Sequence, residues 1–344
     1  MENIRISGIG LINRAGTSPD LFWESLVNGK AAGKETPVTE FRPDFPSSKL
    51  RRMNRYCKMA LYAAQNASRE GEIPENGNPF DVGTIFTTGY GAMEAQLRFC
   101  REVAKGDPDF CSPTVFTGTV PNSCVGTVCM FLRYKGASTM LSGGNHLEYS
   151  RLLLETRRAS CILAGAVEEY SRDLFEDLEQ MTGSAAEELA EGCVVFCLKA
   201  GQEKEGYCSL EKTGSIGLAD VPLFMETCDE DDAAAMRELL EEYRDCRPDV
   251  VIGSGCHGAF VKKEREILGE IFPDTPVTGR VKEIAGETLG SGFSVNTAAA
   301  AVCLKQGYVP EALLGKEYGS RRAARILVCG YDMEGNYLCA LLVR

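Results

Sequence analysis

The sequence predicts an α/β chain made of two related halves, and three observations carry that prediction. Strand-like apolar runs alternate with helix-period segments along the 344 residues. The first half closes on two apolar runs, 161–164 and 193–198, and the C-terminus repeats the pair as 326–330 and 337–343 across a Glu334-Gly335-Asn336 turn. A chain this long buries a large core and accommodates two domains, read here as 1–209 and 210–344.

Each element follows from local chemistry. Residues 4–9 read as a strand ending at Gly10. Ser18-Pro19-Asp20 starts a helix: Ser18 caps the free amides, Pro19 suits the first position, Asp20 faces the positive end, and Gly29 stops it. Over 53–69, Tyr56, Met59, Ala60, Ala63, Ala64 and Ala67 keep helical spacing, and their small size asks for close packing on another layer. Arg51, Arg52 and Arg55 mark the approach to that helix, as a solvated start or as a dock for an acidic carrier. Residues 82–87 form a strand leading to Gly89-Tyr90-Gly91, a packing turn that lacks the full dinucleotide spacing. The stretch 120–136 is small, apolar and glycine-punctuated, and 160–167 and 192–199 read as buried strands. Beyond 210, Asp229, Glu230, Asp231 and Asp232 open a helix with Met236, Leu239, Leu240 and Tyr243 on its apolar face. A strand at 250–252 then runs into Gly253-Ser254-Gly255.

Composition narrows the function classes. Apolar residues are 44% and charged residues 25%, no apolar run approaches a membrane span, and the first residues lead straight into a strand pattern, so neither a membrane span nor a secretory signal is expected. The formal charge of −12 disfavours non-specific binding to nucleic acid or anionic membrane. The 15 cysteines are scattered with no CxxC pair, and Cys129, Cys161, Cys193, Cys197, Cys303 and Cys339 lie in apolar runs. They read as buried thiols in a reducing cytoplasm. With only two histidines, His146 and His257, a histidine-rich metal site is not expected.

In order along the chain come Ile6-Ser7-Gly8-Ile9-Gly10, Phe22-Trp23-Glu24-Ser25-Leu26, Arg52-Met53-Asn54-Arg55-Tyr56, Gly89-Tyr90-Gly91, and Asn122, Gly126 and Gly136. Ala164-Gly165-Ala166-Val167-Glu168, Ala190-Glu191-Gly192, Lys282 with Gly286, and Gly335-Asn336 follow. In order and spacing this series resembles the β-ketoacyl synthases of the thiolase superfamily over nearly the whole chain, which is shorter than typical members. The resemblance implies a thiolase-like duplicated fold layered α-β-α-β-α.

What the chain lacks is as informative. Active members of that family place a cysteine at the tip of a buried helix, where the dipole stabilises the thiolate and backbone amides receive the oxyanion. Ungapped counting from Gly136 puts Asn145 there, and a gap would bring Ser142 or Gly143; none is cysteine. The family's first histidine falls near Gly255, with His257 displaced from it, and the second becomes Glu287. An ionised carboxylate only accepts hydrogen bonds and does not replace imidazole. Lys282 survives and is placed to pair with Glu287, closing the old cavity; a solvent-exposed Lys282 is the alternative. His146 and His257 read as packing or surface residues. Gly330-Tyr331-Asp332-Met333-Glu334-Gly335-Asn336 puts bulky and acidic residues into the family's flexible gate.

The resemblance therefore implies a chain-length-factor type of subunit, not catalytic alone, that pairs with an active β-ketoacyl synthase. The implied ligand is a phosphopantetheine-tethered acyl chain on an acyl carrier protein, in a polyketide, aryl-polyene or fatty-acid-like pathway, with no tightly bound cofactor. Asn122, Met130, Phe131 and Met140 become tunnel or interface residues. The alternatives are a malonyl decarboxylase or other acyltransferase with altered residues, and a non-enzymatic carrier-binding scaffold.

Overall fold

Two sets of five strands, laid side by side in one sheet, expose the duplication. The first half of the computed structural model runs β1 (Ile4–Ile12), α1 (Pro19–Asn28), α2 (Ser47–Leu50), α3 (Arg55–Glu70), β2 (Val82–Thr88), α4 (Met93–Ala104), α5 (Pro113–Phe116), α6 (Ser123–Leu132), β3 (Ser138–Ser142), α7 (His146–Glu155), β4 (Cys161–Glu168), α8 (Arg172–Thr182) and β5 (Gly192–Ala200). The second runs β6 (Cys208–Gly217), α9 (Glu230–Glu241), β7 (Val250–Ile252), α10 (Ala259–Ile271), β8 (Val277–Thr278), α11 (Val281–Ala285), α12 (Gly292–Gln306), β9 (Tyr308–Val309), α13 (Glu311–Leu314), β10 (Arg321–Arg322), β11 (Arg325–Tyr331) and β12 (Asn336–Val343). The structure describes residues 3–31, 36–106, 112–182, 188–201 and 206–344.

The sheet order is β3-β2-β4-β5-β1-β6-β12-β11-β7-β8. Leaving out β9 and β10, which form a separate two-stranded sheet, each half reads from its outer edge inward as its own third, second, fourth, fifth and first strand. The halves meet where β1 and β6 pair antiparallel, Arg5 with Ser209 and Ile6 with Cys208. β6 begins at Cys208, two residues before 210, where the sequence places the second half.

Three helical layers sandwich the strands. Helices α3 and α6 cover the outer face of the first five strands, α9 and α10 that of the second five, and α7 and α12 fill the space between. This is the expected α-β-α-β-α layering. Every residue of α12 from Gly292 to Leu304 is buried, as in a central helix facing two sheets.

Local signals act as read. Ser18 Oγ accepts Leu21 N–H at 3.3 Å, and Gly29 closes α1 at φ 65°. The alanines of α3 are fully buried, and β1 meets them with Gly10: a Cβ there would lie 1.9 Å from the Ala63 carbonyl oxygen. Gly10→Ala must push α3 off the sheet, and we expect it to lower stability by about 1–3 kcal/mol in a denaturant titration. An unchanged midpoint would show that this contact yields.

Two local expectations are amended. Arg55 neither dangles at a solvated helix start nor offers itself for docking. Its guanidinium binds the fully buried Glu191 carboxylate, Nε–H···Oε2 being 2.8 Å, while Arg51 and Arg52 stay exposed. Tyr243 lies beyond the end of α9 yet is buried. Of the cysteines singled out, five are buried and Cys129 is half-buried, all as free thiols.

Candidate functional site

The duplication aims two helix N-termini, of α7 and α12, at one place. His146, the first residue of α7, and Ser294, in the first turn of α12, join them through Nε2 and Oγ at 3.1 Å. Both are buried, and burial drives the His146 pKa down to about 3, so the ring is neutral.

Asn145 caps α7. Its Oδ1 accepts the N–H groups of Leu147 at 3.2 Å and Glu148 at 3.3 Å. Its Nδ2 donates to the carbonyls of Gly214 at 3.1 Å on β6 and Cys339 at 3.3 Å on β12. The amide is thus consumed in tying α7 to the second half's strands.

At the mouth of α12, Lys282 and Glu287 form a buried ion pair, side chains 4% and 0% exposed. Tyr331 O–H donates to Glu287 Oε2 at 2.7 Å, Leu289 N–H to Oε1 at 2.8 Å, and Lys282 Nζ lies 4.0 Å from the Tyr331 ring centre. A Cβ added to Gly292, first residue of α12, would meet both Glu287 Oε1 and the Lys282 end, so the pair sits on the helix N-terminus. Of the two arrangements open to Lys282 in the sequence, the paired one is present.

Gly255 is buried in a turn held by Glu264, which accepts Ser254 N–H at 2.9 Å, Ser254 O–H at 2.7 Å and Tyr337 O–H at 2.8 Å. His257 is exposed and outside this cluster.

The 330–336 segment, which the resemblance likens to the family's gate, is tied down by hydrogen bonds. Buried Asp332 accepts the backbone N–H of Gly144, next to Asn145, as well as Glu334 N–H at 2.9 Å, Asn336 N–H at 2.9 Å and the Asn336 amide at 2.8 Å. Ser142 O–H donates to Glu334 Oε1 at 3.0 Å. A cavity of about 820 Å³ touches Asn145 from outside, between Gly143, Gly144, Leu152 and Lys212, without reaching Lys282 or Glu287.

The expected wall residues scatter. Met130 is 68% exposed and lines a separate cavity; Phe131 stacks edge-on against Phe45 at 5.0 Å. Asn122 precedes α6 without capping it. Met140 lies in β3, an outermost strand that pairs only with β2 and carries exposed or half-buried residues throughout.

Two buried glutamates lie at the end of β4, and the sequence reading gave neither a role, naming only Glu168 within a longer run. Glu168 accepts Thr88 O–H at 2.9 Å and the Gly89 N–H; Glu169 accepts Tyr56 N–H at 3.0 Å and Glu94 N–H at 3.1 Å, holding the starts of α3 and α4. Burial lifts both carboxyls to about 7. The folded state then holds protons that the unfolded chain releases above about pH 4.3, so both groups favour folding as pH falls from about 7. His146 acts oppositely, because the unfolded ring protonates below about pH 6.5. Two groups outweigh one, and we expect a higher melting temperature at pH 5.5 than at 7.5. A lower one would refute this assignment of the buried charges.

No family model matches the chain, and no curated protein matches it. Solved structures do. A β-ketoacyl synthase from Burkholderia phymatum STM815 superposes with TM-score 0.80 at 16% identity, covering 100% of both chains. The ishigamide ketosynthase/chain length factor gives 0.80 at 17% identity over 99% of each. A ketosynthase in complex with its chain length factor from Xenorhabdus doucetiae gives 0.77 at 15% identity, over 99% of this chain and 98% of that one. With the twin five-strand order and the helix layers, these likenesses bear out the resemblance in the sequence: the chain has the thiolase-like fold of the ketosynthases and chain length factors over its full length.

Proposed function

We propose that this chain is a non-catalytic, ketosynthase-like subunit of the chain-length-factor type, which pairs with an active β-ketoacyl synthase acting on acyl groups carried by an acyl carrier protein. The observation that carries the reading is the state of the site. The position at the tip of α7 holds an asparagine whose amide is fully engaged, and the second histidine position holds a glutamate locked to Lys282 and Tyr331. Among the described residues, these two positions offer neither a nucleophile nor a free donor for a developing enolate. The same saturation of Asn145 counts against the decarboxylase alternative.

The edge strand β3 supplies a surface for the partner. Its outer side has no strand beside it, and such an edge is a template for pairing. Solved neighbours that include a ketosynthase with its chain length factor and an acyl carrier protein in complex with its ketosynthase support the same partners. The phosphopantetheine arm would then reach the partner's catalytic centre, with no cofactor held by this chain.

Affinity purification of the tagged chain from its native cell, with intact-complex mass determination, tests the reading. A one-to-one complex with an intact ketosynthase is the expected result. A monomer or homodimer with no such partner would overturn it.

A further inference from the structure

The fourth and fifth strands of each half carry a pair of neighbouring thiols. Cys161 on β4 and Cys197 on β5 place their sulfurs 3.5 Å apart, and Cys329 on β11 and Cys339 on β12 place theirs 3.8 Å apart. The two pairs differ in access. Cys329 and Cys339 face each other in the β11–β12 register and are closed to solvent. They line neither the cavity beside Asn145 nor a second one, of about 960 Å³, beyond the end of α6. Cys161 does line that second cavity, between the 73–82 segment, the end of α6, the start of β4 and the end of β5. It is 6% exposed, whereas Cys197 is fully buried. A small reagent entering the hollow therefore meets one sulfur of the first pair and neither of the second.

The Cys197 sulfur is held in place. A Cβ added to Gly71, just past α3, would lie 2.4 Å from it, so glycine there leaves it room, and Ser7 O–H donates to the Cys197 carbonyl at 3.0 Å. Tyr134, a titratable neighbour of both sulfurs, is kept a neutral phenol by burial, which raises its pKa, and so sets no negative charge against a thiolate. The 3.5 Å gap exceeds a disulfide bond by about 1.5 Å, and closing it takes a movement of about 0.7 Å by each sulfur.

We propose that Cys161 and Cys197 form a site of reversible oxidation, at which a small organic disulfide entering the cavity converts the two thiols into a bond stapling β4 to β5. The Cys161 thiolate attacks one sulfur of the reagent, forming a mixed disulfide and releasing the first thiolate. Cys197 then attacks the Cys161 sulfur, forming the intramolecular disulfide and releasing the second. The two protons lost by the protein thiols go to the two leaving thiolates, so one reagent disulfide is reduced for each protein disulfide formed. The inference does not depend on the subunit role proposed above.

Disulfide mapping tests it on the full-length chain as it purifies, partner included, with bis(2-hydroxyethyl) disulfide as the reagent. Remaining thiols are alkylated as the chain is denatured, and the digest is read by mass spectrometry. The expected product joins the Cys161 and Cys197 peptides, is reversed by dithiothreitol, and forms at least tenfold faster than any Cys329–Cys339 bond. In Cys197→Ala the mixed disulfide should accumulate on Cys161, and in Cys161→Ala the Cys197 thiol should stay reduced. Should either variant fail to fold, mapping of the parent chain alone decides. Parent chain with Cys161 and Cys197 both alkylated after prolonged exposure, a bond from Cys161 to another cysteine such as Cys129 on the same cavity, or equal rates for the two pairs would overturn the proposal.

Discussion

Glu287→Ala is expected to cost about 3–5 kcal/mol of folding stability, because it strands the Lys282 ammonium in a site almost closed to water. The substitution also removes the carboxylate that accepts Tyr331 O–H and Leu289 N–H. Lys282→Ala should cost a similar amount from the other side, leaving a buried carboxylate. The double replacement Lys282→Met with Glu287→Leu removes both charges together, and a buried pair exchanged for apolar side chains of similar size is often nearly neutral. It should therefore be milder than either single change. Urea titration of the three variants reads this out. Single variants that melt like the parent would mean that water or a shifted Lys282 relieves the charge, and the locked-centre account would fail.

The proposed pairing predicts that blocking β3 weakens assembly and leaves the chain folded. Ser138 and Ser142, at the two ends of this strand, are exposed. Lysines at both places put charge where a neighbouring strand must approach, the device by which natural sheets keep edges from pairing. Ser138→Lys with Ser142→Lys is expected to weaken partner capture at least a hundredfold in a pull-down or light-scattering assay, with an unchanged melting temperature. The ammonium introduced by Ser142→Lys meets an acceptor in Glu334, which already takes the hydrogen bond from Ser142. A complex that survives intact would move the interface to another face.

Short-range chemistry made the first layer of structure legible. Ser18-Pro19-Asp20 with Gly29 defines α1 because cap, proline, acid and terminal glycine all act within one helix. The alanine spacing of α3 reads as close packing because only small side chains let a helix lie against β1 at Gly10. The paired apolar runs read as strands because nothing polar interrupts them. Resemblance supplied the layering and identified Asn145, Lys282 and Glu287 as the positions to inspect.

What escaped notice depends on contacts between distant residues. Asp332 reaches Gly144 across 188 residues, and no pattern near either one announces it. Glu169 gathers the starts of α3 and α4 from far along the chain, although in sequence it only follows a strand. Arg55 looked like one of three surface arginines because its partner Glu191 is 136 positions away. Met130 and Phe131 follow one another in α6, and neighbours on a helix point about 100° apart, so they face different surroundings.

The meeting of two helix N-termini has a further consequence. Each end carries a partial positive charge, and Lys282 adds a whole one. Such a spot is built to welcome a transient anion, and here Glu287 and Asp332 are standing counter-ions drawn from the chain itself. A thiol introduced at position 145 would therefore gain no reactivity. The new sulfur would find the Gly144 amide already taken by a carboxylate and negative charge already in residence, which holds the thiol protonated and leaves an incoming oxyanion without room.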